Sequence, residues 1–385
     1  MTSREIAGYR MGNQRIIGGV PVKAAGQRVA SAALVKVAGA PGATSTPVGL
    51  VSWLGCIQAQ DFAMAKWAIG LRTGNVTEAE IDRDFNEGKI LRTHILRPTW
   101  HFVSPSDIGW MLRLTAPRIK AFSKGLHRKL GIDEAILRRS KTILVKALAG
   151  GKQLTREQLV QLLKKGRINT DDIRTTFLLM DAELDGVICS GGRQGKQFTY
   201  ALLEERVPGL VYLEEDDAIG ELAHRYFASR GPATLQDFCW WSGLNLSRAK
   251  RGVELNNPRL ACVVVNGQAY WFSAAGKNPI QTIVNPIQDP KQTLVHLLPA
   301  FDEFTVAYKD RSDILPSHYH QQTGNGIFKP VIVINGQIAG TWKRSILKDK
   351  VLVETEPFKT PGRNTQRLIR EAAGQYARFV GKELG

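Results

Sequence analysis

Disulfide and zinc chemistry are the first things this sequence leaves little room for. The 385 residues include four cysteines, Cys56, Cys189, Cys239 and Cys262, far apart and with no C-x-x-C pair. Neither a disulfide framework nor a zinc knuckle is expected, and all four read as reduced core residues. Long apolar runs are missing too, since no window approaches the roughly 18 uninterrupted apolar residues of a membrane span. The opening "MTSREIAGYRMGNQRIIGG" carries charges where a signal peptide has an apolar core, so a cytoplasmic protein with no membrane association is expected. The histidines offer one close pair, His318 and His320 in "LPSHYHQQTGNG". No cysteine, third histidine or obvious carboxylate accompanies it, and neither a metal nor a cofactor is expected.

Acid is the next scarcity. Asp and Glu total 35 against 52 Lys and Arg, a formal charge of +17 with a pI near 9.8. Such a balance favours a polyanionic partner through counterion release and long-range steering. The plain alternative is a soluble basic surface with no specific partner. Basic residues gather at turn-rich points: "RRSKTILVKALAGGKQ" (138–153), "KKGR" (164–167), "GGRQGKQ" (191–197), "RAKRG" (248–252) and "KRSILKDK" (343–350). Solvated faces are usually mixed in sign, and runs with so little acid suit phosphate contacts.

A hydrophobic content of 43% and a mean hydropathy of −0.17 describe globular modules, with length for about two to three domains. "LTREQLVQLLKKG" predicts an amphipathic helix entered through a capping box, Thr155 with Gln158. "TTFLLMDAELDG" predicts a second helix closed by Gly186. "VICSG", the tip "GRQGKQ" and "FTYALL" then read as a β-hairpin. Helix, helix and hairpin with a basic tip is the order of a winged helix.

That order recurs. Residues 216–256 supply helices with Thr234 and Ser247 as N-caps, and "LACVVVNGQAYWF" supplies a hairpin around Asn266-Gly267. Upstream, "TEAEIDRDFNEGKILRTHILRPTWHFVSPSDIGWMLRL" offers a short helix, an extended segment and a helix capped by Ser104 or Ser106. A hairpin fits poorly there, because Pro98 interrupts the run. "TLVHLLPAFDEFTVAYKDRS", "PVIVINGQIAGTWKRS" and "VLVETEPFK" are β-rich, with a hairpin at Asn335-Gly336 and the closing helix "TQRLIREAAGQYARFVGKEL". The expected class is α+β: tandem winged-helix units at 1–130, 131–210 and 211–276, then a small C-terminal β-barrel or β-sheet domain at 277–385.

"CIQAQDFAMAKWAIG" (56–70) sets Gln58 and Gln60 inside a stretch that otherwise reads as core. Glutamine is seldom buried without partners, because an unmade amide hydrogen bond in apolar surroundings costs about 1–3 kcal/mol. Either the pair caps neighbouring segments or it is held for a substrate. Residues i and i+2 diverge by about 200° on a helix, so a shared site requires extended chain or a helix end.

The runs "IQAQDFAMAKWAIGLRT", "EGKILRTHILRPTWHFVSPSDI", "MDAELDGVICSGGRQGKQFTYALLEERVP", "RYFASRGPATLQDFCWWSGL" and "LLPAFDEFTVAYKDRS" follow one another in the order found in the winged-helix DNA glycosylases of the AlkZ-like family, which the sequence resembles from about residue 10 to 380. The resemblance implies a bacterial enzyme that excises alkylated bases, N7- or N3-alkylpurines among them, and in some members bases tied in interstrand crosslinks. It implies a glutamine–apolar–glutamine catalytic motif, which falls on Gln58-Ala59-Gln60. Asp61 is then expected to be structural. The opening segment matches the family only loosely.

The chemistry agrees with such a motif. Breaking an N-glycosidic bond normally requires protonating the departing base, which is why glycosidases pair carboxyl groups. An N7-alkylated guanine already carries positive charge, so the enzyme has only to position a water and stabilise an oxocarbenium-like sugar. A glutamine oxygen can accept from that water while its nitrogen donates to sugar or phosphate.

Further DNA contacts are expected from Arg92 and His94, two apart on one strand face, and from Arg193 and Lys196 at a glycine-rich tip where Gly191, Gly192 and Gly195 permit positive φ. His94, Trp100 and His101 are equally readable as core, and so are Trp240 and Trp241. The resulting expectation is a monomer acting on double-stranded DNA containing alkylated bases, associated with the nucleoid through that DNA. A non-catalytic tandem winged-helix regulator is the alternative.

Overall fold

The structure is a computed structural model that describes residues 1–17, 45–171, 173–274, 293–319 and 328–385. Helix α1 (Ser3–Asn13) opens the chain through a capping box made by Thr2 and Glu5. It packs on the third repeat. Arg10 Nε donates to the Pro232 carbonyl at 3.0 Å, Asn13 Nδ2 donates to that of Gly231 at 2.7 Å, and the Arg10 guanidinium lies 3.9 Å from the Tyr308 ring centre. The loosely matching front of the chain is therefore a staple between distant segments.

The first repeat comprises α2 (Pro47–Leu54), β1 (Ile57–Gln58), α3 (Phe62–Thr73), α4 (Glu78–Asn86), β2 (Leu91–His94) and β3 (Trp100–Val103), with sheet order β1-β3-β2. Here the expectation of one extended run needs correcting. Pro98 lies in the turn between two strands, where its missing N–H breaks no ladder bond. The repeat starts at α2 and includes the glutamine motif, which the expected unit 1–130 already contained. α5 (Pro105–Lys129) leads away from it. Its N-cap is Ser104, whose Oγ donates to Asp107 Oδ2 at 2.6 Å.

The second repeat, α6 (Glu134–Leu148), β4 (Leu154–Thr155), α7 (Arg156–Lys165), α8 (Arg174–Leu184), β5 (Ile188–Ser190) and β6 (Thr199–Leu202), has the same order, with β6 central. Its Thr155–Gln158 capping box is formed. α9 (Leu203–Arg206) follows. The third repeat has α10 (Glu215–Arg230), α11 (Leu235–Ser242), α12 (Leu246–Glu254), β7 (Leu260–Val265) and β8 (Gln268–Ser273), and Ala233 bridges Trp271 as a minimal first strand. Asn266 and Gly267 both take positive φ, 50° and 78°, as a type I′ hairpin turn requires. Thr234 caps α11, but Asn245 rather than Ser247 caps α12, accepting from the Arg248 N–H at 2.9 Å.

The C-terminal part holds β9 (Val295–Leu298), α13 (Glu303–Val306), β10 (Val331–Ile334), β11 (Gln337–Ile346), β12 (Lys350–Pro357), α14 (Arg363–Phe379) and β13 (Glu383–Leu384). The strands form one sheet in the order β13-β12-β11-β10-β9, antiparallel except for β12 with β13. It curls as a half-barrel, and α14 buries Ile369, Ala372, Ala373 and Tyr376.

Two large cores meet at the first sheet. Register places Ile57, Phe102 and Arg92 on one face and Gln58, His101 and Thr93 on the other. The first face packs on α3, α4 and α14, and the second on α10 and α11. Cys56 and Cys189 are core residues, whereas Cys239 is half-buried and Cys262 is exposed on the β7–β8 hairpin, so the expectation of four core thiols holds for two. Among the described residues no helix is long and apolar enough to cross a membrane.

Burial holds three imidazoles far below their ordinary titration: His101 at about 3, His224 and His296 at about 4. Their folded values lie below the unfolded one, so each binds its proton more readily in the unfolded chain. The penalty is absent above about pH 6.5 and grows as pH falls toward 4, by up to roughly 1.4 kcal/mol per pH unit for each group. Urea midpoints are therefore expected to drop between pH 7.5 and pH 5. An unchanged midpoint would mean that these rings reach solvent.

Candidate active site

Gln58 is the second residue of the short edge strand β1, paired with His101 of β3. It is 6% exposed, and both halves of the residue are fixed. Its backbone N–H donates to Glu303 Oε1 at 2.9 Å, and its side-chain oxygen accepts from Arg97 Nη2 at 3.1 Å. Ala59 is buried, with its N–H on the Trp100 carbonyl at 2.7 Å and its carbonyl taking Arg92 Nε at 3.0 Å. Gln60 then emerges to solvent where the chain bends into α3, its Oε1 a long 3.4 Å from the Trp100 N–H. The motif thus occupies extended chain at a strand end, the geometry that lets an i, i+2 pair serve one site.

Helix capping around the motif falls to other residues. Asp61 is the N-cap of α3 and accepts from the Met64 N–H at 3.1 Å, while Gly55 closes α2.

Glu303, at the start of α13, anchors Gln58 from 245 residues away. It is 1% exposed and takes Arg230 Nε and Nη2 at 3.1 and 2.7 Å and Trp241 Nε1 at 3.0 Å. Its neighbour Asp302 binds Arg72 through both oxygens, at 2.7 and 2.8 Å. Nothing singled out these residues in the sequence. The available signal was two acids inside the apolar run "LLPAFDEFTV", a place where charge persists only when paired. His101 lies beside Gln58, fully buried, its Nδ1–H donating to the Thr99 carbonyl at 2.9 Å. Burial, reinforced by the nearby Arg97, keeps it neutral.

Arg92 and His94 do share a strand face, but it is the face opposite Gln58, and both are buried, at 8% and 5% exposure. The Arg92 guanidinium stacks 4.2 Å from Trp100 and 4.7 Å from Phe198, and burial pushes it down to about 10. His94 Nδ1 meets Glu183, with its ring 4.6 Å from that of Trp100. Both residues support the underside of Trp100 instead of lining an open channel.

The basic tip of the second repeat docks beside the motif. Arg193 is half-buried, its guanidinium 5.1 Å from Phe62 and 4.6 Å from Phe198, with its N–H on Asn86 Oδ1 at 2.8 Å. Phe62 follows Gln60 by two residues. Arg193 is therefore not a free apex, and Lys196 alone of the pair stands in solvent. Of the three tip glycines only Gly195 has positive φ, +59°. At Gly191 a Cβ would come within 2.3 Å of Thr199 Oγ1, so close packing demands glycine there.

Trp241 is core, as expected. Trp240 is not: it is 42% exposed, its Nε1 bound to the Val306 carbonyl at 3.0 Å and its ring 5.9 Å from the Arg97 guanidinium. Among the described residues no group of three or more His, Cys, Asp or Glu is placed to hold a metal, and His320 lies outside them.

Three comparisons bear on this arrangement. A curated relative from Streptomyces sahachiroi, named an interstrand DNA cross-link repair glycosylase, is 23% identical over 350 residues, 86% of this chain and 88% of that protein. The solved structure of the DNA glycosylase AlkZ from the same organism superposes with a TM-score of 0.77 at 20% identity, covering 100% of this chain and 99% of that one, a likeness of fold. The profile described as DNA glycosylase AlkZ-like matches residues 51–379, from within α2 to the end of α14. The chain therefore belongs to the AlkZ-like family of DNA glycosylases.

Proposed function

We propose that this DNA glycosylase releases cationic N7- or N3-alkylated purines from duplex DNA, with Gln58 and Gln60 positioning the attacking water and steadying the developing sugar charge. The observation that carries this reading is the state of the carboxylates nearest the pair. Asp61 is spent on a helix cap, and Glu303 is neutralised by Arg230. A site furnished with amides suits a leaving base that brings its own positive charge and departs neutral, while water oxygen bonds to C1′ and gives its proton to solvent.

Single-turnover release of N7-methylguanine from a duplex, against none of unmodified guanine, tests the proposal. The rate is expected to be flat between about pH 6 and 9, since neither amide titrates and His101 stays neutral. A bell-shaped profile would reveal a general acid and overturn the assignment. The Streptomyces sahachiroi relative is named for cross-link repair. Release of a crosslinked N7-alkylguanine by this chain is the corresponding extension, read as unhooking on a denaturing gel.

We read the three repeats as winged helices, the second presenting its wing to the duplex. Lys196 then touches a phosphate, with Arg193, Arg92 and His94 bracing the wing and Trp100. Log affinity should fall with log salt by about 0.9 per phosphate neutralised, and Lys196→Ala should make that slope shallower by about 0.9. An unaltered slope would remove Lys196 from the interface.

A further inference from the structure

Two guanidiniums, that of Arg97, which bonds Gln58, and that of Arg311, converge on one exposed tryptophan, an arrangement the motif does not account for. Their charged groups lie 5.9 and 5.6 Å from the Trp240 ring centre. Arg97 spends Nη2 on the Gln58 oxygen, and its Nε is buried without a hydrogen-bond partner among the described residues. Arg311 spends Nε on the Thr305 carbonyl at 2.7 Å, and its buried Nη2 likewise has no partner among the described residues. Burial lowers both guanidiniums, and Arg97 lowers Arg311 further.

Among the described residues neither has a carboxylate in hydrogen-bond contact. The acids whose charge bears on them are engaged elsewhere. Glu303 serves Arg230, Trp241 and the Gln58 N–H, Asp237 serves the backbone N–H groups of Thr234, Lys309 and Asp310, and Asp310 accepts from the Ser312 N–H. Two partly desolvated like charges with donors unsatisfied are costly by themselves and become favourable around an anion. Trp240 meanwhile is held rigidly by its Nε1 yet leaves much of its ring to solvent. An aromatic face beside fixed guanidiniums is the furniture of a single-strand nucleotide subsite, where a base or sugar stacks and a phosphate is gripped.

Resting on the glycosylase reading above, we infer that Arg97, Trp240 and Arg311 form a cradle for one phosphodiester of the lesion-bearing strand and the nucleoside attached to it, one step from Gln58. A cationic base would be repelled by the two guanidiniums, so the cradle takes the backbone and a neighbouring nucleoside, leaving the alkylated base to lie elsewhere. Arg97 then couples the grip on the strand to the orientation of the Gln58 amide and is a positioning residue.

The test uses the full-length protein and duplexes carrying N7-methylguanine in which the phosphates near the lesion are replaced, one at a time, by neutral methylphosphonates. One position is expected to slow single-turnover release by about 10-fold or more. Arg311→Gln should slow release of the all-phosphate substrate to a similar degree and show no additional loss at that one position, while effects at every other position multiply. Arg311→Lys, which keeps the charge, should recover most of the rate. Trp240→Ala should cost about 10-fold or more and Trp240→Phe little, with thermal unfolding confirming that each variant folds. Wild-type rates in Trp240→Ala and Arg311→Gln, or multiplicative losses at every phosphate, would overturn the cradle. A wild-type protein inert on N7-methylguanine would instead overturn the substrate reading. The same cycle, measured as affinity for duplex containing an abasic-site analogue, would then decide the cradle alone.

Discussion

Replacing Gln58 or Gln60 by alanine is expected to slow base release under single-turnover conditions by about 10²–10³, the usual consequence of losing one preorganised polar group aimed at developing charge. The two variants should differ in what else they lose. Gln58 accepts from Arg97 in a largely buried setting, so Gln58→Ala leaves that guanidinium with a further unmade bond and should lower stability by about 1–3 kcal/mol. Gln60 is exposed, and Gln60→Ala should stay within about 0.5 kcal/mol of the wild type in a urea titration. DNA affinity should be close to unchanged in both. Because the amides share one task, the double variant is expected to be barely slower than the poorer single. Gln60→Glu or Gln60→Asp keeps an oxygen for the water and should retain activity that Gln60→Ala loses. Full activity in both alanine variants would end the catalytic assignment.

Loss of Glu303 should be the largest single blow to stability. Glu303→Ala strands Arg230, itself fully buried, and removes the acceptor of the Gln58 N–H and of Trp241 Nε1 together. Breaking one side of a buried ion pair typically costs about 3–5 kcal/mol. Glu303→Gln preserves an acceptor for Gln58 but not the charge opposite Arg230, so it should fall between the two. Both variants should shift the urea midpoint downward, and base release per folded molecule should drop more in Glu303→Ala than in Glu303→Gln. An unfolding free energy within about 1 kcal/mol of the wild type for Glu303→Ala would show that Arg230 finds another partner.

Much of this molecule is written locally. The capping box at Thr155, the N-cap at Thr234 and the positive-φ turns at Asn266-Gly267 and Asn335-Gly336 each depend on atoms within about four residues, and each stands where the sequence puts it. The excess of Lys and Arg and the motif Gln58-Ala59-Gln60 are equally plain in the sequence, and they are enough to direct attention to DNA and to the end of β1. Pro98 misled because a proline read as breaking one strand here separates two.

What tertiary structure alone decided is which side chains the site can use. Gln58 is held by Arg97 from the neighbouring hairpin and by Glu303 from α13, and no local pattern couples positions so far apart. Adjacent tryptophans with identical propensities divide, Trp241 sinking against Glu303 while Trp240 stays in the open between two arginines. Arg92 and His94, spaced for a DNA face, are turned inward because their strand face meets the α3 and α4 core and the second repeat, through Phe198 and Glu183. Sequence fixes a residue's spacing and chemistry, but its exposure and hydrogen-bond partners depend on whichever distant surface the fold lays against it, and that is settled only when the repeats pack together.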